Sequence, residues 1–80
     1  MAKYTRVTVS KVNEALFDGD AVSVTVPGAL GEMTILADHE ALITPLKAGR
    51  VTVRTEGDAQ TFEIEKGICE ISSNQVTVLL

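Results

Sequence analysis

The sequence predicts an all-β domain, a small antiparallel β-sandwich or flattened barrel of about eight to ten short strands with no substantial helix. Two observations lead to this prediction. Apolar and polar residues alternate in short runs, and turn-forming residues separate these runs roughly every eight to twelve positions. In addition, no stretch longer than one turn shows the apolar spacing of a helix. The whole range 1–80 is expected to form a single domain.

The first strands are predicted in the range 6–26. Val7 and Val9 alternate with polar neighbours and indicate the first strand. A short apolar run at 15–17 leads into residues 18–20, Asp-Gly-Asp, which predict a turn because glycine tolerates positive φ and aspartate bonds its own backbone. Valine then alternates with serine and threonine through 22–26, and the Pro-Gly pair at 27–28 is expected to end that strand.

The rest of the chain continues the pattern of short strands. Gly31–Leu36 is predicted as a strand that is followed by a corner at 37–39. Residues 42–46 are predicted as an irregular strand, because Pro45 and Gly49 bracket the apolar residues that could otherwise suggest a helical turn. Turns are then expected at 56–58, 66–67 and 72–74, with strands around 51–54, 62–64, 68–71 and 76–80.

Residues 26–49 have the least regular pattern and are predicted to form a docking surface. They contain both prolines, several glycines and the only histidine, His39. Contact residues of small domains usually lie on irregular segments that a rigid scaffold positions. The segment contains no set of residues that could carry out a reaction, so binding to a partner is the expected function.

The residues that could carry chemistry argue against an enzyme. Nucleophilic catalysis needs a nucleophile, a base and an orienting group that converge, whereas this chain has one histidine and one cysteine, Cys69, which lies in an apolar strand pattern. Two such residues cannot supply a zinc site. The Asp-Gly-Asp at 18–20 lacks the next oxygen ligands of a calcium loop, and the glycines at 28 and 31 lack the Lys-Ser/Thr of a phosphate cradle. We therefore predict no catalytic, cofactor-binding or metal-binding residues.

Charge and composition argue against nucleic acid and membrane as direct partners. The formal net charge is −4, basic residues are scattered singly, and only three aromatic residues occur. No apolar run approaches the ~20 residues of a membrane span, and the first residues show no signal-peptide pattern. The single cysteine indicates a reducing compartment.

A carrier domain of the biotinyl or lipoyl type remains open as the alternative function. Such domains are also small, all-β and acidic, and they present one lysine at a hairpin tip. Lys47 could be that attachment site, although the Met-Lys-Met or Asp-Lys-Ala context of those carriers is missing here. A gain of mass at Lys47 after expression with the matching ligase would identify a carrier.

An ordered set of motifs makes the chain resemble the epsilon subunit of F-type ATP synthase, in particular its N-terminal β-sandwich. Each motif is weak alone, but the set keeps its order and spacing over nearly the whole chain. Two of these motifs depart from the family pattern: Met33-Thr34 replaces Leu-Gly, and Ala37 replaces Pro. The matching motifs are Phe17-Asp18-Gly19, Gly31-Glu32-Met33-Thr34-Ile35-Leu36, Ala37-Asp38-His39, Leu42-Ile43-Thr44, Lys47-Ala48-Gly49, Gly67-Ile68-Cys69-Glu70-Ile71 and Asn74-Gln75-Val76-Thr77-Val78-Leu79.

The resemblance implies a non-catalytic rotor subunit in the central stalk of a proton-transporting ATP synthase. Such a subunit docks the gamma subunit onto the ring of c subunits and supports the coupling of ion flow to ATP synthesis. It is peripheral, on the cytoplasmic, stromal or matrix face of an energy-coupling membrane. The matching positions imply gamma contacts by His39, Leu42 and Thr44, and c-ring contacts by Gly31, Glu32 and Met33.

The family usually continues into a C-terminal helical hairpin, which carries inhibition of ATP hydrolysis and, where it occurs, nucleotide binding. The given sequence ends at Leu80, and it leaves open whether a hairpin is naturally absent or was removed. These 80 residues alone are therefore expected neither to inhibit hydrolysis nor to bind ATP.

Overall fold

Strands make up most of the part of the chain that this computed structural model describes, residues 3–38 and 40–80. The predicted all-β class is confirmed, with nine strands and no helix among these residues. Consequently, they contain no helix that could cross a membrane. In chain order the strands are β1 (Thr5–Lys11), β2 (Glu14–Ala21), β3 (Ser23–Gly28), β4 (Gly31–Leu36), β5 (Leu42–Leu46), β6 (Gly49–Thr55), β7 (Asp58–Ile64), β8 (Gly67–Ser72) and β9 (Gln75–Leu79).

The nine strands form one sheet that curls around a single core. The order along the sheet is β2-β1-β9-β8-β5-β3-β6-β7, and β4 pairs with β3. One side of β3 is occupied by β4, whereas the other side is shared: β6 pairs with its first residues and β5 reaches its last residue, where Gly28 lies opposite Leu46. The sheet therefore changes direction at β3, and the strands β4 and β5 lie on either side of its C-terminal end.

One pairing departs from the predicted antiparallel arrangement. The first and last strands, β1 and β9, run parallel, with Val7 opposite Val76 and Val9 opposite Val78. Parallel neighbours need a long connection between them, and here nearly the entire chain provides it. The sequence pattern of each strand is the same for either direction, so alternation alone did not reveal this pairing.

The core is built from the inward positions of the alternating strands. Burying one face of each strand removes branched aliphatic side chains from water, which is the main stabilising contribution to such a fold. The buried apolar residues are Val7, Val9, Ala21, Val24, Val26, Ile35, Leu46, Val51, Val53, Ile64, Cys69, Ile71, Val76 and Val78.

The turn predicted at residues 18–20 is wrong. These residues lie inside β2, where Asp18 is opposite Thr8 and Gly19 is opposite Val7. The side chain of Asp18 points outward and forms an ion pair with Arg6, with 2.7 Å between Asp18 Oδ1 and Arg6 Nη2. The chain turns earlier, at Val12 and Asn13, where Asn13 has a φ of 64°. Asparagine tolerates this left-handed conformation better than most residues, so it competes with Asp-Gly as a turn former.

The turns predicted at 56–58, 66–67 and 72–74 and the irregular strand at 42–46 are present, and of the corner predicted at 37–39 residues 37–38 form a turn, whereas His39 lies outside the described residues. Turns occupy 56–57 and 73–74, and a bend lies at 65–66, within about a residue of the predicted places. The predicted end of the third strand is displaced, because β3 includes Pro27 and Gly28. Proline is tolerated there because its carbonyl, rather than its missing N–H, is used: it accepts a hydrogen bond from the backbone N–H of Lys47 at 2.9 Å.

Candidate docking groove

The hairpin of β3 and β4 turns within two residues, Ala29 and Leu30, between the paired glycines Gly28 and Gly31. Both glycines are required by the geometry. Gly31 has a φ of +144°, which side chains rarely adopt, and a Cβ on Gly28 would lie 2.7 Å from the carbonyl oxygen of Gly31. A two-residue turn has no further residues that could cover its tip, so the tip projects from the sheet. The side chain of Leu30 is fully exposed as a result.

Strand β4 carries the three residues predicted to contact the c ring, and β3 is its only strand partner among the described residues. Gly31 and Glu32 open the strand, and the Glu32 side chain is exposed. Met33 follows on the inward face, where it is half-buried and packs against the core. The far edge of β4 faces no other strand in the described structure, so its backbone is accessible to a partner.

Strand β5 carries Leu42 and Thr44, two of the three residues predicted to contact gamma. Their faces follow from the pairing with β8, in which Leu42 is opposite the buried Ile71 and Thr44 is opposite the buried Cys69. On this face of β5, burial decreases from the C-terminal to the N-terminal end of the strand: Leu46 is buried, Thr44 is half-buried and Leu42 is 39% exposed. The third residue, His39, lies outside the described residues.

Strand β5 is joined to the end of β3 close to the Leu30 tip. Gly28 is opposite Leu46, and the Ala29 N–H donates a hydrogen bond to the Pro45 carbonyl at 2.9 Å. The Lys47 N–H donates to the Pro27 carbonyl at the same distance. From this junction β4 continues beside β3, whereas β5 continues beside β8. The inward face between them is left open.

The opening is a groove with a volume of about 300 Å³. It joins the two sets of residues that the sequence assigned to different partners: Gly31, Glu32 and Met33 from β4, and Leu42 and Thr44 from β5. Gly28 and Leu30 complete the lining. We refer to the space lined by these seven residues as the groove.

The chemistry of the groove suits contact rather than reaction. Its lining is mostly apolar and carries one ionisable side chain, Glu32. The thiol of Cys69, which is opposite Thr44 in the β5–β8 pairing, is fully buried. Burial raises the pKa of this thiol to about 11, so the unreactive protonated form predominates at neutral pH. Within 3–38 and 40–80, no three histidine, cysteine, aspartate or glutamate residues cluster in a way that could hold a metal ion.

Sequence reasoning missed several exposed apolar residues. Leu30 could have been found, because an apolar residue between two glycines in a two-residue turn has no core to enter. A second group lies on the outward face of β5, β8 and β9, where Pro45, Ile68 and Leu79 are neighbours in register and Ile43 is 66% exposed. Strand β5 therefore exposes apolar side chains on both of its faces, which is typical of a strand that contacts other proteins.

The structure does not favour the carrier alternative. Lys47 lies between β5 and β6, which do not pair with each other, so it is not at a hairpin tip. Its backbone is held beside β3 by the hydrogen bond to Pro27. A carrier lysine must reach distant active sites from a projecting hairpin tip. In the neighbouring β3–β4 hairpin, the exposed residue at the tip is Leu30.

Comparison with known proteins gives one consistent result. The family model described as ATP synthase, Delta/Epsilon chain, beta-sandwich domain matches residues 4–80. The chain is similar to the ATP synthase epsilon chain of Bordetella petrii, with 40% identity over 75 residues that cover 92% of this chain and 53% of the relative. Similarity to the ATP synthase epsilon chain of Janthinobacterium sp. is 38% over 81 residues, covering 99% of this chain and 58% of the relative. The chain thus spans between half and three fifths of these relatives.

Two solved structures share the fold. A chain in the Euglena gracilis mitochondrial ATP synthase (OSCP/F1/c-ring) superposes with a TM-score of 0.87 at 23% identity, covering 99% of this chain and 51% of that one. A chain in the Tetrahymena thermophila mitochondrial ATP synthase (central stalk/c-ring) gives a TM-score of 0.77 at 13% identity, covering 92% of this chain and 60% of that one.

Proposed function

The chain belongs to the family of ATP synthase Delta/Epsilon chain β-sandwich domains, and we propose that it acts as a single docking domain in the rotor of such an enzyme. In this role it is a non-catalytic central-stalk subunit that holds the gamma subunit on the c ring. It supports the coupling of ion flow to ATP synthesis, and it is peripheral to the membrane, on the cytoplasmic, stromal or matrix face.

The groove is the observation that carries this proposal. The resemblance suggested separate contact sets for gamma and for the c ring, and five of those six residues line one continuous opening. A subunit that joins two partners benefits from adjacent contact surfaces, because the partners can then also contact each other. The rigid sheet around the groove transmits torque without requiring a conformational change in the domain.

The β5 side of the groove suits gamma. Leu42 offers exposed apolar area beside the half-buried Thr44, and interface energy concentrates in a few such residues near the centre of a contact.

The β4 side suits the c ring. The Leu30 tip projects beyond the sheet, and the exposed Glu32 carboxylate beside it can form charge-assisted hydrogen bonds with basic side chains of the c-subunit loops. A projecting apolar residue beside a carboxylate can supply both affinity and orientation.

Titration of the chain against purified gamma subunit and against solubilised c ring tests both sides. We expect Leu42→Asp to weaken gamma binding about tenfold or more. We expect Glu32→Lys to weaken c-ring binding by like-charge repulsion, most strongly at low salt. Asp58→Lys is the matched control, because it makes the same charge change at the β6–β7 turn, at the opposite end of β3 from Leu30.

The proposal fails if the unaltered chain binds neither partner. If Asp58→Lys weakens c-ring binding as much as Glu32→Lys does, the assignment of the groove as the c-ring contact is wrong.

We further propose that this chain alone does not bind ATP. The glycine pair at 28 and 31 forms a hairpin turn that leads into a strand, whereas phosphate cradles lead into a helix N-terminus. Calorimetry with Mg-ATP is expected to show no binding. A dissociation constant in the micromolar range would overturn this expectation.

A further inference from the structure

The turn between β8 and β9 contains a side chain that joins two distant segments of the chain. The amide nitrogen Nδ2 of Asn74 donates a hydrogen bond to the backbone carbonyl of Tyr4 at 2.8 Å. Its amide oxygen Oδ1 accepts one from the backbone N–H of Asp38 at 3.0 Å. The backbone carbonyl of Asn74 also accepts hydrogen bonds from Thr5 Oγ1 at 2.8 Å and from the Arg6 N–H at 3.1 Å. Asn74 therefore contacts the start of β1 and the corner after β4.

The backbone at Asn74 does not by itself explain an asparagine. Ser73 and Asn74 have φ values of 46° and 60° and form a two-residue turn between the paired Ser72 and Gln75. Glycine adopts such a conformation at the lowest cost. Both Nδ2 and Oδ1 of Asn74 form hydrogen bonds outside the turn, which indicates that the side chain stabilises more than the turn itself.

The corner that Asn74 holds connects the two walls of the groove. Strand β4 ends at Leu36 and β5 begins at Leu42, and Asp38 lies between them with a φ of 65°. The side chain of Asp38 forms an ion pair with the exposed Lys3, with 3.0 Å between Oδ2 and Nζ, and exposed ion pairs contribute little to order. The hydrogen bond from the Asp38 N–H to Asn74 therefore anchors the corner to the body of the sheet.

We infer that Asn74 is a positioning residue for the groove, an inference that rests on the proposed function. The junction of Gly28 with Leu46 lies at one end of the groove, and Leu42, which lines the groove, is the first residue of β5 after the corner. The junction is held by the pairing of β3 with β5, and at the corner the Asp38 N–H is held by Asn74. Loss of that anchor lets the corner move, so Leu42, the first residue of β5 after the corner, is presented to gamma less uniformly although its pairing with Ile71 remains.

Asn74→Gly tests the inference, because glycine keeps the left-handed turn and removes both side-chain hydrogen bonds. We expect amide hydrogen exchange at Asp38, measured by NMR, to become about tenfold faster, in keeping with the loss of one hydrogen bond. We expect gamma affinity to fall roughly threefold to tenfold, since binding must then order the corner. Amides in the core strands should keep their protection.

Two further variants separate positioning from general destabilisation. Asn13→Gly makes the same change at another turn position with a positive φ of 64°, away from the corner, and should leave both the Asp38 exchange rate and gamma affinity unchanged. Asn74→Asp keeps an oxygen acceptor for the Asp38 N–H but loses the donor to Tyr4. It should retain protection of Asp38 and gamma affinity within about twofold.

Several outcomes would overturn the inference. An unchanged Asp38 exchange rate in Asn74→Gly would show that the corner is held by other contacts. Faster exchange with unchanged gamma affinity would show that the corner does not position the groove, while leaving the proposed function intact. If the unaltered chain did not bind gamma, the proposed function would fail, yet the exchange measurement would still decide whether Asn74 anchors the corner.

Discussion

Two hairpins of this domain have the same local architecture and opposite surface chemistry. Both β3–β4 and β6–β7 turn within two residues, at Ala29-Leu30 and at Glu56-Gly57. The second tip is polar, and the carboxylate of Glu56 accepts a hydrogen bond from the Tyr4 hydroxyl, which raises the pKa of Tyr4. The first tip exposes a leucine completely. The fold therefore accommodates either a polar or an apolar hairpin tip.

The difference shows that a hairpin tip can either stabilise its own domain or leave its side chain free for a partner. The polar tip contributes to the domain itself, because it fastens the start of the chain to β6 and β7. The apolar tip contributes nothing to the domain through its leucine, which contacts water. Because Leu30 is exposed and also lines the groove, we propose that it contacts a partner protein.

The largest expected effect concerns the glycines that permit the two tips. Gly28→Ala places a Cβ 2.7 Å from a backbone oxygen, so the hairpin must shift, and we expect a loss of about 2–3 kcal/mol in the free energy of unfolding. Gly57→Ala has open space at a φ of +87° and should cost about 1 kcal/mol. Urea denaturation of both variants measures the two losses. Equal losses would show that the β3–β4 turn is not the more constrained one.

A smaller effect is expected at the apolar tip itself. Leu30→Asp should leave the free energy of unfolding within about 0.5 kcal/mol, because the side chain is already exposed. It should weaken c-ring binding by about 1–2 kcal/mol in a titration. Val12→Asp is the matched control, since Val12 is an 82% exposed apolar residue at the tip of the β1–β2 hairpin. If both variants weakened c-ring binding equally, the effect would not be specific to the tip that lines the groove.

The smallest effect is expected on the outward face of β7. Glu63 pairs with Arg50 at 3.6 Å, and both side chains are largely exposed. We expect Glu63→Gln to change the free energy of unfolding by less than about 0.5 kcal/mol and to leave binding to gamma and the c ring unchanged. A measurable loss of c-ring affinity would mean that the acidic residues of both hairpins take part in docking, which would weaken the contrast between them.

Much of the fold was predictable from the sequence because alternation is a local property. Residues such as Val7, Val24 and Val53 were assigned to strands correctly, since a period of two identifies the buried face without reference to any other strand. The ordered motifs also identified the family, which the family match confirms. The turn at 18–20 was wrong because turn propensity is a weak signal, and the pairing of β1 with β2 overrode it.

The groove depended on tertiary structure. The sequence placed Glu32 and Leu42 in one predicted docking segment, and the resemblance assigned them to separate partners, but neither predicted that the two residues line a single groove. Their proximity results from the meeting of β3 and β5 at Gly28 and Leu46, a pairing that no local pattern encodes. The hydrogen bond between Asn74 and Asp38 spans 36 positions and depends on the same long-range arrangement.

The sequence by itself therefore determined the class of fold, the buried face of most strands and the family. These follow from side-chain chemistry and from spacing within a few residues, which every copy of the chain carries before it folds. The tertiary structure alone decided which strands became neighbours, that β1 and β9 run parallel, and that β4 and β5 enclose one groove. The physical reason is that a period-two pattern specifies which side of a strand is buried but is indifferent to the identity and direction of the strand beside it.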